Sequence, residues 1–473
     1  MFKKIQRIHF VGIGGSGMSG IAEVLMNLGY KVSGSDLKET EVTRRLTTLG
    51  ASIFIGHQAA HIEGAHVVVT STAVESGNPE VAAAKAKGIS VIPRIEMLAE
   101  IARLKYTIAV AGTHGKTTTT SMVAAVLQAG GLDPTVVVGG RLKHLNSGAR
   151  MGQGDYLVAE ADESDGSFLK LSPALAIITN IDNDHLDYYH SFDRLCEAFI
   201  SYANRVPFYG CVIACLDDAQ VRAQLPKMTR RVVTYGTDPA ARVRAQGITA
   251  DTSGTSLEVM ENGASLGRIH LVVPGKHNVL NALAAVVAGQ ELGIPFDQIA
   301  SGLGGFEGVG RRLEMKGETG GITVIDDYGH HPTEIRATIS ALRERYPKRR
   351  LIVVFQPHRY SRTQALSKEF SESFKEADRV YVMDIYAAGE KPIKGITSES
   401  ILKPLIKNHP AAQALPASAT PERFREHLAP GDVVLTLGAG DVWKWGEHIL
   451  KIPVRRTAER TGPPDGVAGP APR

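Results

Sequence analysis

The stretch from Tyr106 to Gly130, YTIAVAGTHGKTTTTSMVAAVLQAG, constrains this chain more than any other. Thr107 to Ala111 is a β-branched and apolar run that reads as a buried strand. Gly112, Thr113, His114, Gly115, Lys116, Thr117 and Thr118 follow it. Met122, Val123, Val126 and Leu127 then recur on one face of a helix. A strand, a glycine turn and a helix N-terminus together aim backbone N–H groups at an anion. A lysine at the end of such a turn reaches the β/γ-phosphates and the next hydroxyl ligates magnesium, the roles expected of Lys116 and Thr117. The spacing departs from GxxxxGK[ST], because Val110 stands early in the motif and the first glycine is Gly112. Nucleotide binding is the reading these residues support.

A chain of 473 residues has room for about three domains, each burying its own core. Strand and helix patterns alternate along it, which predicts an α/β protein. Ile8 to Ile13 reads as a strand, and Gly12, Gly14 and Gly17 give GxGxxG before a helix from Met18 to Leu28. A second strand, Val32 to Gly34, leads to Asp36, about 20 residues beyond the glycines, where a ribose-binding acid is expected. The pattern fits NAD, yet the same turn holds any diphosphate. Strands follow at His66 to Thr70 and Ser90 to Ile92, with a helix between. Ser71 and Thr72 leave the first of these at its carboxyl end, as ligand groups or as turn caps. The first boundary falls near Leu104.

The second region begins with the phosphate turn. The strand Asp155 to Glu160 discharges into Ala161, Asp162, Glu163, Ser164 and Asp165. The strand Ala174 to Asn180 ends in Ile181, Asp182, Asn183, Asp184 and His185. Glu160 and His185 therefore reach the sheet edge that carries the phosphate turn, where a hard cation takes carboxylates and His completes the shell. In PGKHNVLNAL, Asn278 and Asn281 share a helical face, and a polar ligand such as a base would pair them. Arg311 and Arg312 lie near the second boundary. Third-region strands are expected at Ile322 to Asp326, Leu351 to Phe355, Arg379 to Met383 and Val433 to Leu437. Helices fit Pro332 to Arg345, Arg362 to Lys375, Ser398 to Ile406 and Pro421 to Leu428. The polar residues again follow the strands. The tail 457–473, rich in Pro and Gly, is expected to be disordered.

A net charge of +4 with no basic stripe interleaved with aromatics does not indicate nucleic acid. Cys196, Cys211 and Cys215 are too few and wrongly spaced for a disulfide framework or a zinc site, and read as buried thiols. No apolar run is long enough to span a bilayer, so no membrane role is expected and the chain reads as cytoplasmic.

The ordered set AGTHGKTTTT, EADESDGSF, TNIDNDHLD, PGKHNVLNA, GRRLE, DDYGHHPTE and QPHRYSRT resembles the Mur ligases of peptidoglycan synthesis. The match runs to about Trp445. The resemblance implies a Rossmann-like UDP-sugar domain over 1–104, a P-loop-type ATPase domain with a mostly parallel sheet over 105–313, and a Rossmann-like amino-acid domain over 314–456. It implies that Gly14, Ser16, Gly17, Asp36, Ser71 and Thr72 hold the UDP-sugar rather than NAD. Lys116, with Gly112 to Thr118, becomes the ATP phosphate site, and Thr117, Glu160 and His185 become neighbours of Mg²⁺ or Mn²⁺. Asn278 and Asn281 match positions near the adenine, and Arg312 and Asp327 match closing groups. Tyr328, His330, Arg359 and Arg362 match the amino-acid end.

No lysine lies between His185 and Pro207, so the modified-lysine metal bridge of sister ligases is not expected. The implied reaction joins L-alanine to the lactyl carboxylate of UDP-N-acetylmuramate through an acyl phosphate, by a monomer or homodimer. The alternative is the recycling ligase that attaches a whole tripeptide to the same sugar, and QPHRYSRT argues for the single amino acid.

Overall fold

The computed structural model describes residues 5–71, 73–75, 77–142 and 147–452. Among them the strands form three sheets, each following from the apolar runs of its own third of the chain. The first is five-stranded, in the order Ser52–Ile55, Lys31–Asp36, Arg7–Val11, Val67–Thr70 and Ser90–Pro93. Every neighbour in it is parallel. Strand order reverses on either side of Arg7–Val11, and the GxGxxG turn leaves that strand. The turn therefore opens at the topological switch point, where ligands of doubly wound sheets bind. The strand Ser52–Ile55 was not expected from sequence; it is short and only half-buried, so its apolar alternation is weak.

The second sheet has ten strands. Its parallel centre runs Val243–Ala250, Val232–Gly236, Cys211–Cys215, Leu175–Ile178, Tyr106–Ala111, Tyr156–Glu160 and Thr135–Leu142. Antiparallel strands extend both ends, with Thr255–Glu261 and Ala264–Leu271 on one side and Ser147–Arg150 on the other. Central strands buried on both faces need continuous apolar runs, and CVIAC and LAII supply them. The helix Lys276–Glu291 is apolar nearly all round and packs beneath the sheet beside the helix Lys116–Ala129. Cys196, Cys211 and Cys215 are all buried and unpaired, and burial pushes the Cys211 and Cys215 thiols up to about 12 and about 11.

The third sheet is six-stranded: Glu314–Thr319, Ile322–Asp327, Val433–Leu437, Leu351–Phe355, Arg379–Val382 and Ala412–Ala414. Only its first edge strand is antiparallel. The expected helix Arg362 to Lys375 is instead two short helices, Tyr360–Ala365 and Ser367–Ser371, joined at Leu366. The first and second regions meet where the helix Ser16–Asn27 lies on Ser147–Arg150. A Cβ at Gly20 would sit 3.1 Å from the Gly148 carbonyl oxygen, so glycine lets the helix come this close without pushing that backbone aside. The expected tail and Thr72 lie outside the described residues.

Candidate active site

The phosphate turn is shaped by two glycines. Gly112 and Gly115 hold φ of 139° and 82°, values that side-chain-bearing residues rarely adopt. A Cβ at Gly112 would collide with Thr179, and one at Gly115 would lie 2.8 Å from Asn281 Oδ1. Gly115 caps the helix that starts at Lys116, so the helix N-terminus points into the turn. Lys116 Nζ donates to the Gly112 carbonyl at 2.7 Å and to both Glu163 oxygens at 2.9 and 2.8 Å. Burial works against its charge, but the Glu163 carboxylate outweighs burial and raises its pKa. Lys116 is an ammonium.

Glu160 differs from its neighbours. It ends the strand Tyr156–Glu160 beside Thr117, and burial raises its pKa although a Thr117 hydrogen bond opposes the rise. Its Oε1 is buried with no hydrogen-bond partner among the described residues. A buried carboxylate oxygen without a donor is costly unless something else meets it. A hard cation beside the Thr117 hydroxyl fits that donor set. His185 stands in the left-handed region, with φ of 59°, and its Nε2 lies 3.6 Å from Glu163 Oε1. Glu163 thus ties His185 to Lys116, a link the sequence did not reveal.

A cavity of about 380 Å³ opens from the turn toward the third sheet, with Thr117, Asn278, Asn281, Arg312, Asp327 and Thr333 among its walls. Asn281 accepts from Thr119 Oγ1 at 3.0 Å and donates to Asn278 Oδ1 at 3.2 Å. Asn278 in turn donates to the Pro274 carbonyl at 2.8 Å. The two asparagines form one polar strip on an otherwise apolar helix. His114 crosses the junction. Its Nε2 is 3.0 Å from Asp182 Oδ2 and its Nδ1 is 3.5 Å from Glu334 Oε1. Burial would lower its pKa, but these hydrogen bonds hold it up at about 9.

The two neighbouring arginines do different work. Arg311 Nε donates to Asp326 at 3.0 Å and its Nη atoms donate to the Gly440 and Gly438 carbonyls, which pins it inside the third region. Arg312 pairs with Glu334 at 3.4 Å on the cavity wall. Asp327 accepts from Leu313 N and Gly329 N at 2.7 Å each, and burial pushes its carboxyl up to about 6 despite Arg312. Both arginines lie over the Tyr328 ring, at 5.1 and 5.2 Å.

Beyond Asp327, Tyr328, His330 and Arg362 gather around His358, while Arg359 stands apart. Tyr328, His330 and His358 form edge-to-face contacts, with centroids 5.4 Å apart in each pair. Burial lowers His330 to about 3 and His358 to about 4, so both rings are neutral. Arg362 reaches Asp184 of the central sheet at 3.2 Å, with both side chains largely buried. Arg359 precedes the short helix with φ of 69° and is exposed, so the two arginines do not share a setting.

In the first region Asp36 Oδ2 accepts from Gly14 N at 2.9 Å, so this acid braces the glycine turn. A Cβ at Gly17 would strike the Arg94 guanidinium, a residue the sequence did not single out. Arg94 lies 3.6 Å from Asp162 and so ties the two regions together. Ser71 is half-buried at the strand end, and Ser16 starts the helix.

Three α/β units with a phosphate turn facing their junction define a multidomain nucleotide-using enzyme. Comparison with known proteins makes this specific. Residues 7–106 match the Mur ligase family catalytic domain, 110–289 the Mur ligase middle domain and 311–440 the Mur ligase glutamate ligase domain. A UDP-N-acetylmuramate–L-alanine ligase from Endomicrobium trichonymphae is 56% identical over 96% of this chain and 100% of its own. One from Geobacter sp. strain M21 is 54% identical over 95% and 98%. The crystal structure of a UDP-N-acetylmuramate–alanine ligase from Thermotoga maritima superposes with a TM-score of 0.80 at 31% identity, covering 94% of this chain and 98% of that one. The chain belongs to the Mur ligase family.

Proposed function

We propose that this chain joins L-alanine to the lactyl carboxylate of UDP-N-acetylmuramate at the expense of ATP. The observation that carries the chemistry is a charged Lys116, held by Glu163, next to Thr117 on the wall of the interdomain cavity, with Glu160 beside Thr117 and its Oε1 without a partner among the described residues. The substrate reading rests on relatives of that printed name, 52–56% identical over almost the whole chain. A murein peptide ligase structure from Psychrobacter arcticus fits less well, with a TM-score of 0.69 and 25% identity against 0.80 and 31%. The tripeptide reading is correspondingly disfavoured.

We assign residues 1–104 to the sugar nucleotide, 105–313 to ATP and 314–456 to the amino acid. The first step brings two anions together, since the sugar carboxylate attacks the γ-phosphate to form an acyl phosphate. Lys116 on the turn and Arg312 on the opposite wall supply positive charge along that path. Thr117, Glu160 and His185 would hold Mg²⁺ or Mn²⁺, which supplies charge neutralisation at the phosphates when bound. The alanine amine then displaces phosphate through a tetrahedral intermediate, leaving an amide, ADP and phosphate. Acyl phosphates hydrolyse readily, and the contacts of His114, Asp182 and Arg362 across the junction keep water out while the third unit is docked. His330 and His358, held neutral, leave Arg362 as the cation for the alanine carboxylate. All sites lie in one chain, which suits a monomer or a homodimer, and ATP with a sugar nucleotide as substrates fits work in the cytoplasm.

The test is phosphate release from ATP and Mg²⁺ with UDP-N-acetylmuramate and a panel of amino acids. Release is expected with L-alanine and not without the sugar. UDP-N-acetylmuramate should also raise Tm by mass action, where NAD at equal concentration does not. Equal release with the tripeptide, or stabilisation by NAD, breaks the reading.

A further inference from the structure

The loop after the strand Leu175–Ile178 places two carboxylates across the domain junction. Asp182 accepts from Thr333 Oγ1 at 2.7 Å, beside its contact with His114. Asp184 accepts from Arg362 Nη2 at 3.3 and 3.2 Å through its two oxygens. The Asp184 and Arg362 side chains are 15% and 10% exposed, so solvent screens this pair little. Arg362 Nη1 lies 3.4 Å from His358 Nδ1, and its Nε is buried with no hydrogen-bond partner among the described residues. A buried guanidinium N–H left unpaired is costly in the free protein, and a carboxylate arriving there relieves that cost.

We propose that Asp184 is a positioning residue for amino-acid selection, fixing the Arg362 guanidinium across the junction so that Nε remains for the carboxylate of a small amino acid. This rests on the assignment of Arg362 to the L-alanine end of the site. An arginine held on one side by a carboxylate has less rotamer freedom to lose when it binds. The anchor is itself rigid, because Asp184 Oδ1 accepts from the His185 backbone N–H at 2.9 Å. Arg359, exposed at the same chain turn, has no such anchor.

Asp184→Asn separates the two jobs of this side chain. The amide oxygen still accepts from His185 N, while the ion pair with Arg362 is lost. The experiment measures KM for L-alanine, KM for ATP, kcat and the dependence on Mg²⁺ for Asp184→Asn, Arg362→Lys and the double variant, with Tm shifts by ADP as a check of folding. Asp184→Asn is expected to raise KM for alanine about tenfold with kcat and KM for ATP little changed. The double variant is expected to be no worse than Arg362→Lys alone, because both changes break one interaction. If Arg362→Lys raises KM for alanine and Asp184→Asn does not, the inference fails and the site assignment stands. If Arg362→Lys leaves KM for alanine unchanged, the assignment itself fails. A loss of kcat or Mg²⁺ dependence in Asp184→Asn with alanine KM intact assigns Asp184 to the phosphate side through His185, and also overturns the inference.

Discussion

Glu80 and Glu160 are two enclosed carboxylates of this molecule whose surroundings are opposite. Glu80 of the first sheet is wholly enclosed, and donors surround its oxygens. Ser35 Oγ donates to Oε2 at 2.5 Å, with His9 Nε2 at 3.4 Å, while His61 Nδ1 and Gln58 N reach Oε1 at 2.7 and 3.2 Å. Burial alone would raise its pKa, but His9, Ser35 and His61 bring it down to about 2. Glu160 has an oxygen without a partner among the described residues, and burial raises its pKa. The first carboxylate is complete in the folded chain, so it stabilises the fold. The second is incomplete without a ligand, so the fold holds it at a cost. Burial alone does not tell the two apart; the partners of each oxygen do.

Glu160→Gln is the sharpest way to test that contrast. It keeps the shape and removes the charge that a cation would meet. Turnover should fall on the order of 10²- to 10³-fold, a loss typical of a removed electrostatic contact to the transition state. Tm should hold or rise, since an unpaired buried acid has gone. A folded-state loss with activity per folded molecule intact would reverse the assignment.

Glu80→Gln should do the converse. Losing charge-assisted hydrogen bonds should cost about 2–3 kcal/mol of stability, read from denaturant unfolding, with activity per folded molecule kept. The pH dependence follows from its depressed pKa. The stabilisation by Glu80 is complete above about pH 4.5 and is lost as pH falls toward about 2. The stability gap between wild type and Glu80→Gln should therefore narrow on acidification. A gap constant from neutral pH down to about pH 3 would show that the histidines, not Glu80, carry the effect.

How much of this was legible in the sequence depends on whether a feature is local. The phosphate turn was readable because its requirements sit side by side: glycines at positive φ, then Lys116 and Thr117 opening a helix. The strand ends Glu160, Asp327 and Phe355 were readable for the same reason. Glu163 was not, because periodicity cannot choose which acid of EADESD turns inward to meet Lys116. Asp184 and Glu334 acquire their partners from another domain, and no local pattern records that. The outer strands Thr255–Glu261 and Ala264–Leu271 are half polar and edge-like, so they lack the apolar runs that announced the central sheet. Asp36 stands where a ribose-binding acid is expected, and the sequence did not show that its Oδ2 accepts the Gly14 amide.

His114 offers a smaller effect at the opposite end of the pH scale. Its folded pKa of about 9 lies above the ordinary 6.5, so its contribution is complete below about pH 6.5 and lost as pH rises through 9. His114→Asn should lose about 1–2 kcal/mol at pH 6 and progressively less toward pH 10, measured without ligand. Glu80 thus contributes to the acid limb of stability and His114 to the alkaline limb. An unchanged gap at pH 10 would place the stabilisation in packing against His331 rather than in charge.

The last contrast separates two arginines that the sequence presents as a pair, and Arg359 should give the smallest effect of all. Arg362 is buried, anchored on Asp184 and short of one partner at Nε, whereas Arg359 is exposed at the start of the same short helix. An exposed cation is solvated whether or not a substrate is present, so removing its planar fork changes little. Arg362→Lys removes a buried fork and should raise KM for L-alanine about ten- to a hundredfold, as the loss of a charge-assisted pair implies. Arg359→Lys should change it by less than about threefold, with surface pairs setting the scale. KM for ATP should stay nearly constant in both, because Lys116, Asn278 and Asn281 lie on elements neither arginine touches. Equal effects from the two substitutions would mean that Arg359 turns inward when the amino acid binds, and the division between a finished surface and an unfinished site would have to be redrawn at this turn.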